Sequence, residues 1–480
     1  MISLRWKRIS LWAFTPWLLT RVPDDIRDFL VLATALTAVG AGLYWMILGS
    51  PPEVAAALVL GGIAATIWLL SPVCAAYTLA LLCPFMLYFD LGPLRGVRVQ
   101  DGVLGTMAVG LFLSLLNGSP RGTMFRNPLV RAFLGIWVFL VVWLAITFLL
   151  GVANAVILRD PIRNTWYLYN LVWRDLLPLP LVLCSLRTHR ETRRALGLTI
   201  LVTTLVAAYA IYLAWMTGKN ATGHFQEGYN QLAAFLVLVI PFAAARLVLA
   251  NGWRQRLAYG VVFAILFRAL WLTGSRGGLV AFLASLVPLA LFVPHRRLLS
   301  AAGVGFLILS LYAVTRDDLL NRPMVQRFLT LSRASEESTF KWRQEQWELF
   351  LQRVKEHPWI GTGSGVDEAV LRLGRAATAH NAFLDMAVRS GLPGMTAWIV
   401  LLMSAGILSA RRVLSAFTPM EERVFWVGFS GFLVALVTHG MVEVAFQTPQ
   451  VQQLFWIVVG LALVVASARE AAASKAGAHV

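Results

Sequence analysis

Long apolar stretches recur along most of the chain and are separated by short polar segments. A transmembrane helix needs roughly 17 to 25 mostly apolar residues, because the hydrocarbon layer of a bilayer is about 30 Å thick. Some of the stretches are short enough for re-entrant or paired half-helices, so the pattern predicts about twelve to fourteen transmembrane helices. The stretches lie near residues 28–49, 53–70, 72–90, 102–117, 129–150, 170–186, 196–216, 230–249, 257–273, 277–293, 298–314, 392–410, 423–445 and 450–467.

Composition agrees with a membrane protein. Hydrophobic residues make up 58% of the chain and charged residues only 14%, against about 25% charged residues in soluble domains. The basic residues behind the net charge of +17 are therefore interpreted as markers of membrane orientation. No nucleic-acid partner is expected. The cysteines (Cys74, Cys83 and Cys184) lie in apolar stretches without metal-ligand spacing, which argues against a disulfide framework or a zinc site.

Basic residues fall in alternate loops, as expected when short basic loops face the cytoplasm. With the N-terminal segment in the cytoplasm, two loops depart from this alternation: the 90–101 loop carries Arg95 and Arg98 on the outer side, and the return at Ser71-Pro72 carries no charge. The prediction is an all-α, multi-pass membrane protein with one large loop that contains short helices on the outer, non-cytoplasmic face. Its parts are a cytoplasmic segment (1–27), transmembrane helices (28–314), the outer loop domain (315–391), further transmembrane helices (392–467) and a cytoplasmic tail (468–480).

The large loop has two helical patterns. In 336–357, Phe340, Trp347, Leu351 and Val354 recur at helical spacing, and Pro358 follows as a stop signal. The apolar side of this helix is expected on the bilayer surface or over a cavity. A second helix is predicted over 366–375. The glycine-rich stretch 361–365 between them is interpreted as a plain turn in preference to a phosphate cradle.

His380 is the candidate catalytic residue. Nine residues separate Asn381 from Gly391, which fits a short helix that ends at a glycine in a left-handed cap, and Pro393-Gly394 would then turn the chain into the next span. The positive end of a helix disfavours imidazolium, so His380 at this N-terminus suits a neutral histidine that takes a proton. The alternative is that His380 is an N-cap or a packing residue.

Two arginines are candidates for anion binding. Arg276 lies among small residues between two spans, and Arg268 would share its face if the helix continued between them. Two guanidinium groups in one cavity suit a diphosphate, because arginine binds phosphate oxygens bidentately. The alternative pairs them with an acid such as Glu443. His439 and Glu443, which are one turn apart, are interpreted as hydrogen-bonding residues within the bundle. Further candidates, for which a surface role is the default, are Arg174, Lys219, His224 and Arg343.

Three motifs together resemble the superfamily of bacterial O-antigen ligases, O-antigen polymerases and protein O-oligosaccharyltransferases. They are Ser275-Arg276-Gly277, the loop helix with Arg343 and Trp347 followed by the 357–363 segment (HPWIGTG), and His380-Asn381 with Gly391-Leu392-Pro393-Gly394. The chain departs from the family pattern before the span that contains Asn230. Lys219 and His224 stand there where the family has an arginine.

The resemblance implies a glycosyltransferase of the bacterial inner membrane that needs no metal or cofactor, with the loop domain 315–391 in the periplasm. The donor would be a glycan on undecaprenyl pyrophosphate, and the acceptor a hydroxyl, most simply that of lipid A-core. Arg276 would hold the diphosphate with help from Arg174, Lys219 or Arg268, and His380 would activate the acceptor. Asn381, Arg343 and His224 would support the site. Polymerase, protein O-oligosaccharyltransferase and lipid-linked substrate transporter remain alternatives. A transporter would place charges near mid-bilayer, whereas the charges here cluster at one membrane face.

Overall fold

The protein is helical throughout the part that the structure describes. The computed structural model describes residues 64–65, 67–68, 71–85, 99–116, 127–154, 177–223, 225, 228–250, 252–293, 338–363, 379–443 and 448–477, and these residues contain thirteen helices and no strand. The helices are α1 (Pro72–Leu82), α2 (Val99–Leu116), α3 (Pro128–Asn154), α4 (Pro178–Ser185), α5 (His189–Thr217), α6 (Tyr229–Leu249), α7 (Trp253–Thr273), α8 (Arg276–Ser285), α9 (Val287–Phe292), α10 (Ser338–Glu356), α11 (Ala382–Leu414), α12 (Met420–Gly440) and α13 (Pro449–Gly477).

Seven of these helices are long and apolar enough to cross a membrane: α3, α5, α6, α7, α11, α12 and α13. The prediction of an all-α polytopic membrane protein is therefore confirmed. The predicted stretches 28–49, 53–70 and 298–314 lie wholly or largely outside the described residues, so the total of twelve to fourteen spans stays a prediction. The predicted loop helix 366–375 also lies outside them.

Two predicted elements differ from the structure. The stretch 277–293 is not one helix, because α8 ends at Ser285 and α9 begins at Val287 with Pro288 in its first turn, where proline is tolerated. The segment assigned to a tail from residue 468 is helical for most of its length, since α13 continues to Gly477.

Helix α6 lies at the centre of the bundle and is almost completely buried. It packs against α12, α7, α8 and α5. A Cβ at Gly428 of α12 would lie 2.6 Å from the Phe242 ring, and one at Gly431 would lie 2.7 Å from Pro241. These glycines therefore let α12 approach α6 closely, as small residues do between membrane helices.

Neighbouring helices run in opposite directions, so the bundle has two ends. The ends of α5, α7 and α12 lie at one of them, together with the start of α6. The starts of α5, α7 and α12 lie at the other end, together with the end of α6. Because a helix of 21 residues, such as α6, is about 30 Å long, the two ends are a bilayer thickness apart.

Helix α10 packs on the beginning of α11 instead of lying free on a bilayer. Phe350 and Val354 are buried in a cluster with Ala379, Ala387 and Val388. The predicted helix 336–357 is confirmed with bounds Ser338–Glu356. Its predicted apolar face is partly wrong, because Leu351 is 49% exposed and Phe350 takes the buried position.

Candidate active site

The turn after α12 carries a carboxylate that joins three parts of the chain. Oε1 of Glu443 accepts hydrogen bonds from Nδ2 of Asn230 at 2.8 Å and from a terminal nitrogen of Arg343 at 3.0 Å. Oε2 lies 3.0 Å from Nδ1 of His380. One largely buried side chain therefore connects the start of α6, the loop helix α10 and the segment before α11.

The environment keeps Glu443 ionised. Burial by itself raises the pKa of this carboxyl, but the hydrogen bond and positive charge of His380, together with the positive charge of Arg343, outweigh it, so that the pKa is lowered from its ordinary value of 4.5. The side chain of Glu443 is only 13% exposed, and a buried carboxylate is stable only when it is paired and hydrogen-bonded. The cluster satisfies this condition with both oxygens occupied.

His380 adopts an unusual backbone conformation directly before α11. Among the described residues it is the only non-glycine with a positive φ, at 45°. The N-cap is Asn381, whose Oδ1 accepts from the backbone N–H groups of Phe383 and Leu384, both at 3.0 Å. The alternative that His380 itself caps the helix is therefore wrong. Asn381 has this capping role instead, and its Nδ2 also donates to the Met441 carbonyl, which attaches the start of α11 to the Glu443 turn.

Helix α10 holds the His380 segment from the other side. Nε1 of Trp347 donates to the Ala379 carbonyl at 2.8 Å. The Trp342 ring meets the His380 ring edge to face, with centroids 5.3 Å apart. Since Arg343 on the same helix binds Glu443, α10 fixes both the imidazole and its acidic partner.

The 357–363 segment is a structural turn that docks on a break in α11. The backbone N–H groups of Thr362 and Gly363 donate to the carbonyls of Val388 and Arg389, at 2.7 and 3.1 Å. These amides are therefore engaged within the protein, which agrees with a plain turn over residues 361–363; residues 364 and 365 of the stretch lie outside the described residues. At Gly391 the backbone has φ 71° and ψ 179°, and a Cβ there would overlap the Trp359 carbonyl.

The break at Gly391 differs from the predicted cap in two respects. Its ψ is extended and not that of a left-handed helical cap. Pro393 and Gly394 do not form a turn but lie in the first helical residues after the break, where proline costs little because its missing N–H would have no helical partner.

Arg276 begins α8 beside the same Glu443 turn. Gly274 has φ 73° and ends α7, and Ser275 is the N-cap of α8, accepting from the Gly278 N–H at 3.2 Å. A Cβ at Gly277 would lie 2.9 Å from Cγ2 of Val442. Because Val442 precedes Glu443, the N-terminus of α8 and His380 flank one short turn. The positive end of α8 adds to the charge of Arg276 there.

The other predicted diphosphate residues are less closely tied to this turn. Arg268 was expected on the same helix face as Arg276 if one helix continued through both residues. That condition is not met, because α7 ends at Thr273. Lys219 is exposed. It lies near the end of α7, because the N–H of Ala221, two residues later, donates to the Leu272 carbonyl. Arg174 and His224 lie outside the described residues.

Sequence reasoning missed Glu443 as the partner of His380 and considered it only as a structural ion-pair residue. The available signal was an acid at the end of a span. Glu443 hydrogen-bonds within the bundle as interpreted, whereas neither ring nitrogen of the buried His439 has a hydrogen-bond partner among the described residues. Asn230 was noted in the sequence only for comparison with the family. In the structure its side chain donates a hydrogen bond directly to Glu443.

Comparison with known proteins supports the family resemblance. A search of curated proteins finds no match to the chain. A family model described as O-antigen ligase matches residues 261–399, from within α7 to within α11. This region contains Arg276, Arg343 and His380, and Glu443 follows it. Residues 261–399 are thus similar to the O-antigen ligase family, in a chain that has seven helices long and apolar enough to cross a membrane among its described residues.

Proposed function

We propose that this protein transfers a glycan from undecaprenyl pyrophosphate to an acceptor hydroxyl, with O-antigen joined to lipid A-core as the reaction that fits best. The observation that carries the proposal is the 3.0 Å contact between Nδ1 of His380 and the Glu443 carboxylate. Ligase or polymerase chemistry is what the matched domain implies in general. The assignment of donor, acceptor and residue roles goes further and is ours.

His380 acts as the general base in this proposal. An ionised Glu443 accepts a hydrogen bond only from a protonated Nδ1, so it selects the tautomer in which Nε2 carries no proton. That nitrogen is then able to take the proton of the acceptor hydroxyl. The Trp342 ring and the Ala379–Trp347 bond hold the imidazole in one orientation. Proton transfer to a base held in this way contributes typically 10²- to 10⁴-fold in rate.

Arg276 binds the diphosphate of the donor. Its place at the N-terminus of α8 combines a guanidinium with the positive end of a helix, and both favour phosphate oxygens. Arg174, Lys219 and Arg268 remain candidates for a second contact, and His224 for a supporting one. Positive charge aimed at the leaving group stabilises the transition state more than the ground state, because negative charge develops there.

The reaction balances as a single displacement. The acceptor oxygen forms a bond to the anomeric carbon while its proton passes to Nε2 of His380. The bond from that carbon to the diphosphate oxygen breaks, and the carrier diphosphate leaves with the electron pair. Attack opposite the leaving group inverts the anomeric configuration. Guanidinium groups supply the positive charge, so no metal or cofactor enters this scheme.

We also propose that the protein lies in the bacterial inner membrane with this end of the bundle on the periplasmic face, where residues 315–391 form the loop domain. The donor lipid would lie between spans, and the glycan under α10. The charged cluster at one end of the bundle supports this proposal over a transporter, whose charged sites belong near mid-bilayer.

A deletion and complementation experiment tests the function. Deleting the gene should leave long carrier-linked glycans and remove the lipid A-linked ladder. Accumulation of single repeats would instead identify a polymerase, and unchanged lipopolysaccharide with unglycosylated protein would identify an oligosaccharyltransferase. His380→Ala should fail to restore the ladder while still binding donor. The matched control is His357→Ala, because His357 is an exposed histidine at the end of α10. Full activity of His380→Ala would refute the assignment of the base.

A further inference from the structure

A cavity of about 630 Å³ lies at the end of the bundle opposite Glu443. It is lined by the starts of α5, α7 and α12 and by the end of α6, which are the regions of Arg193, Trp253, Glu421 and Arg246. Because α6 and α7 each have 21 residues, the cavity is about 30 Å from the candidate active site. It therefore has no part in the chemistry proposed above.

The lining carries a net positive charge. Three arginines (Arg193, Arg246 and Arg254) and one acid (Glu421) line the cavity, which leaves two positive charges in excess. Arg193 pairs with Glu421 at 2.7 Å, but both side chains are substantially exposed, at 43% and 66%, so this pair contributes little and exchanges readily. Among the described residues it is the only ion pair that these arginines form.

Two of the arginines are held against aromatic rings. Cζ of Arg246 lies 5.5 Å from the centre of the Tyr259 ring, and Cζ of Arg254 lies 5.6 Å from that of Trp253. A guanidinium stacked on a ring keeps its N–H donors in the guanidinium plane, where they can bind phosphate oxygens. The cavity thus presents oriented donors for an anion.

The surroundings favour a lipid over a soluble anion. Trp253 is 70% exposed at the first residue of α7, the position at which tryptophan lies in the headgroup layer. Farther along the same helix Leu257 and Val261 are exposed apolar residues. A molecule with its phosphate among the arginines would therefore have its acyl chains along the outer face of α7.

We propose that this cavity binds the phosphodiester headgroup of an anionic phospholipid. Basic pockets between transmembrane helices are suited to such headgroups. In this site Arg246 and Arg254 bind the phosphate, while α7 contacts the acyl chains. Arg193 contributes when its exchangeable pair with Glu421 opens.

Titration of the full-length, delipidated protein in a non-ionic detergent tests the proposal. The probes are dihexanoyl phosphatidylglycerol, dihexanoyl phosphatidylcholine and glycerol phosphate, with binding measured by calorimetry. The anionic lipid should bind more tightly than either of the others, because only it combines net charge with acyl chains. The double variant Arg246→Gln/Arg254→Gln should bind it about thirtyfold more weakly, since each basic residue contributes about fivefold near a membrane surface.

Arg190→Gln is the matched control, because Arg190 is an exposed arginine on α5 that does not line the cavity. This variant should bind the anionic lipid as the unmodified protein does. Should the double variant fail to fold, the single variant at the exposed Arg254 gives the same test with about a fivefold effect. Equal affinity for the two lipids, equal affinity for glycerol phosphate, or undiminished binding by the folded arginine variants would each overturn the proposal.

Discussion

Replacing Glu443 with glutamine tests the coupling between this residue and His380. The glutamine has nearly the same shape, and its carbonyl oxygen can still accept from Asn230 and Arg343, which donate to one carboxylate oxygen in the native site. Its amide nitrogen then faces Nδ1 of His380, where the native site has the second oxygen at 3.0 Å. Because an amide nitrogen donates, Nδ1 must become the acceptor, and the imidazole proton moves to Nε2.

The proposed base is thereby converted into its unreactive tautomer with little change in geometry. General-base catalysis is worth typically 10²- to 10⁴-fold, so we expect the rate of glycan transfer to fall by about 100-fold or more. Donor binding should change little, since Arg276 keeps its place. Losing a charged hydrogen bond also costs about 1.5–3 kcal/mol, which should appear as a lower Tm of a protein that still elutes as a single species.

The assay is transfer of lipid-linked glycan to acceptor by purified protein, with donor binding measured on the same preparations. Glu356→Gln makes the same chemical change on the exposed surface of α10, where Glu356 is 39% exposed and pairs only with Arg353 among the ion pairs of the described residues. This control should keep nearly full activity. A folded Glu443→Gln protein with undiminished transfer would show that His380 does not depend on Glu443.

Three further predictions concern the diphosphate contact, the break in α11 and acid stability. Arg276→Gln should weaken donor binding by about tenfold to a hundredfold, the value of a charge-assisted hydrogen bond, and direct binding measurements would contradict this if affinity were unchanged. Gly391→Ala should destabilise the protein by at least about 2 kcal/mol, because the new Cβ meets the Trp359 carbonyl. Thermal unfolding should show a lower Tm for this variant than for the control Gly406→Ala on the same helix, where the added carbon meets nothing within 4 Å. Because the pKa of Glu443 is lowered from 4.5, the stability contributed by its charged form is present above that pH and is lost as the pH falls through the folded-state pKa. Unfolding curves measured down to about pH 3 should therefore lose stability less steeply for Glu443→Gln than for the native protein, and parallel curves would argue against the lowered pKa.

Much of the architecture follows from local sequence. A run of apolar residues long enough for a bilayer determines a spanning helix because no water is present to satisfy the backbone. The predicted spans agree with α3, α6 and α7 to within about four residues at each end, whereas α5 begins seven residues before its predicted start. The loop helix α10 and its end before Pro358 followed from helical spacing and a stop signal.

Sequence also located His380 and Arg276 as candidates, since each stands at a helix boundary marked by small or capping residues. It misjudged features that depend on neighbouring elements. Gly391 was expected to cap a helix, but its conformation is set by the Trp359 carbonyl packed against it. Leu351 was expected on the inner face of α10, whereas the contact with α11 selects Phe350.

Only the tertiary structure decided which residues hydrogen-bond Glu443. Its three hydrogen-bond partners are 213, 100 and 63 residues away in sequence, and no local periodicity relates them. The acid was visible in the sequence, as were Arg343 and His380, but helical spacing determines only which residues share a face of one helix. Which ends of different helices meet is determined by how α6, α10, α11 and α12 pack, and that packing brings the carboxylate to the imidazole.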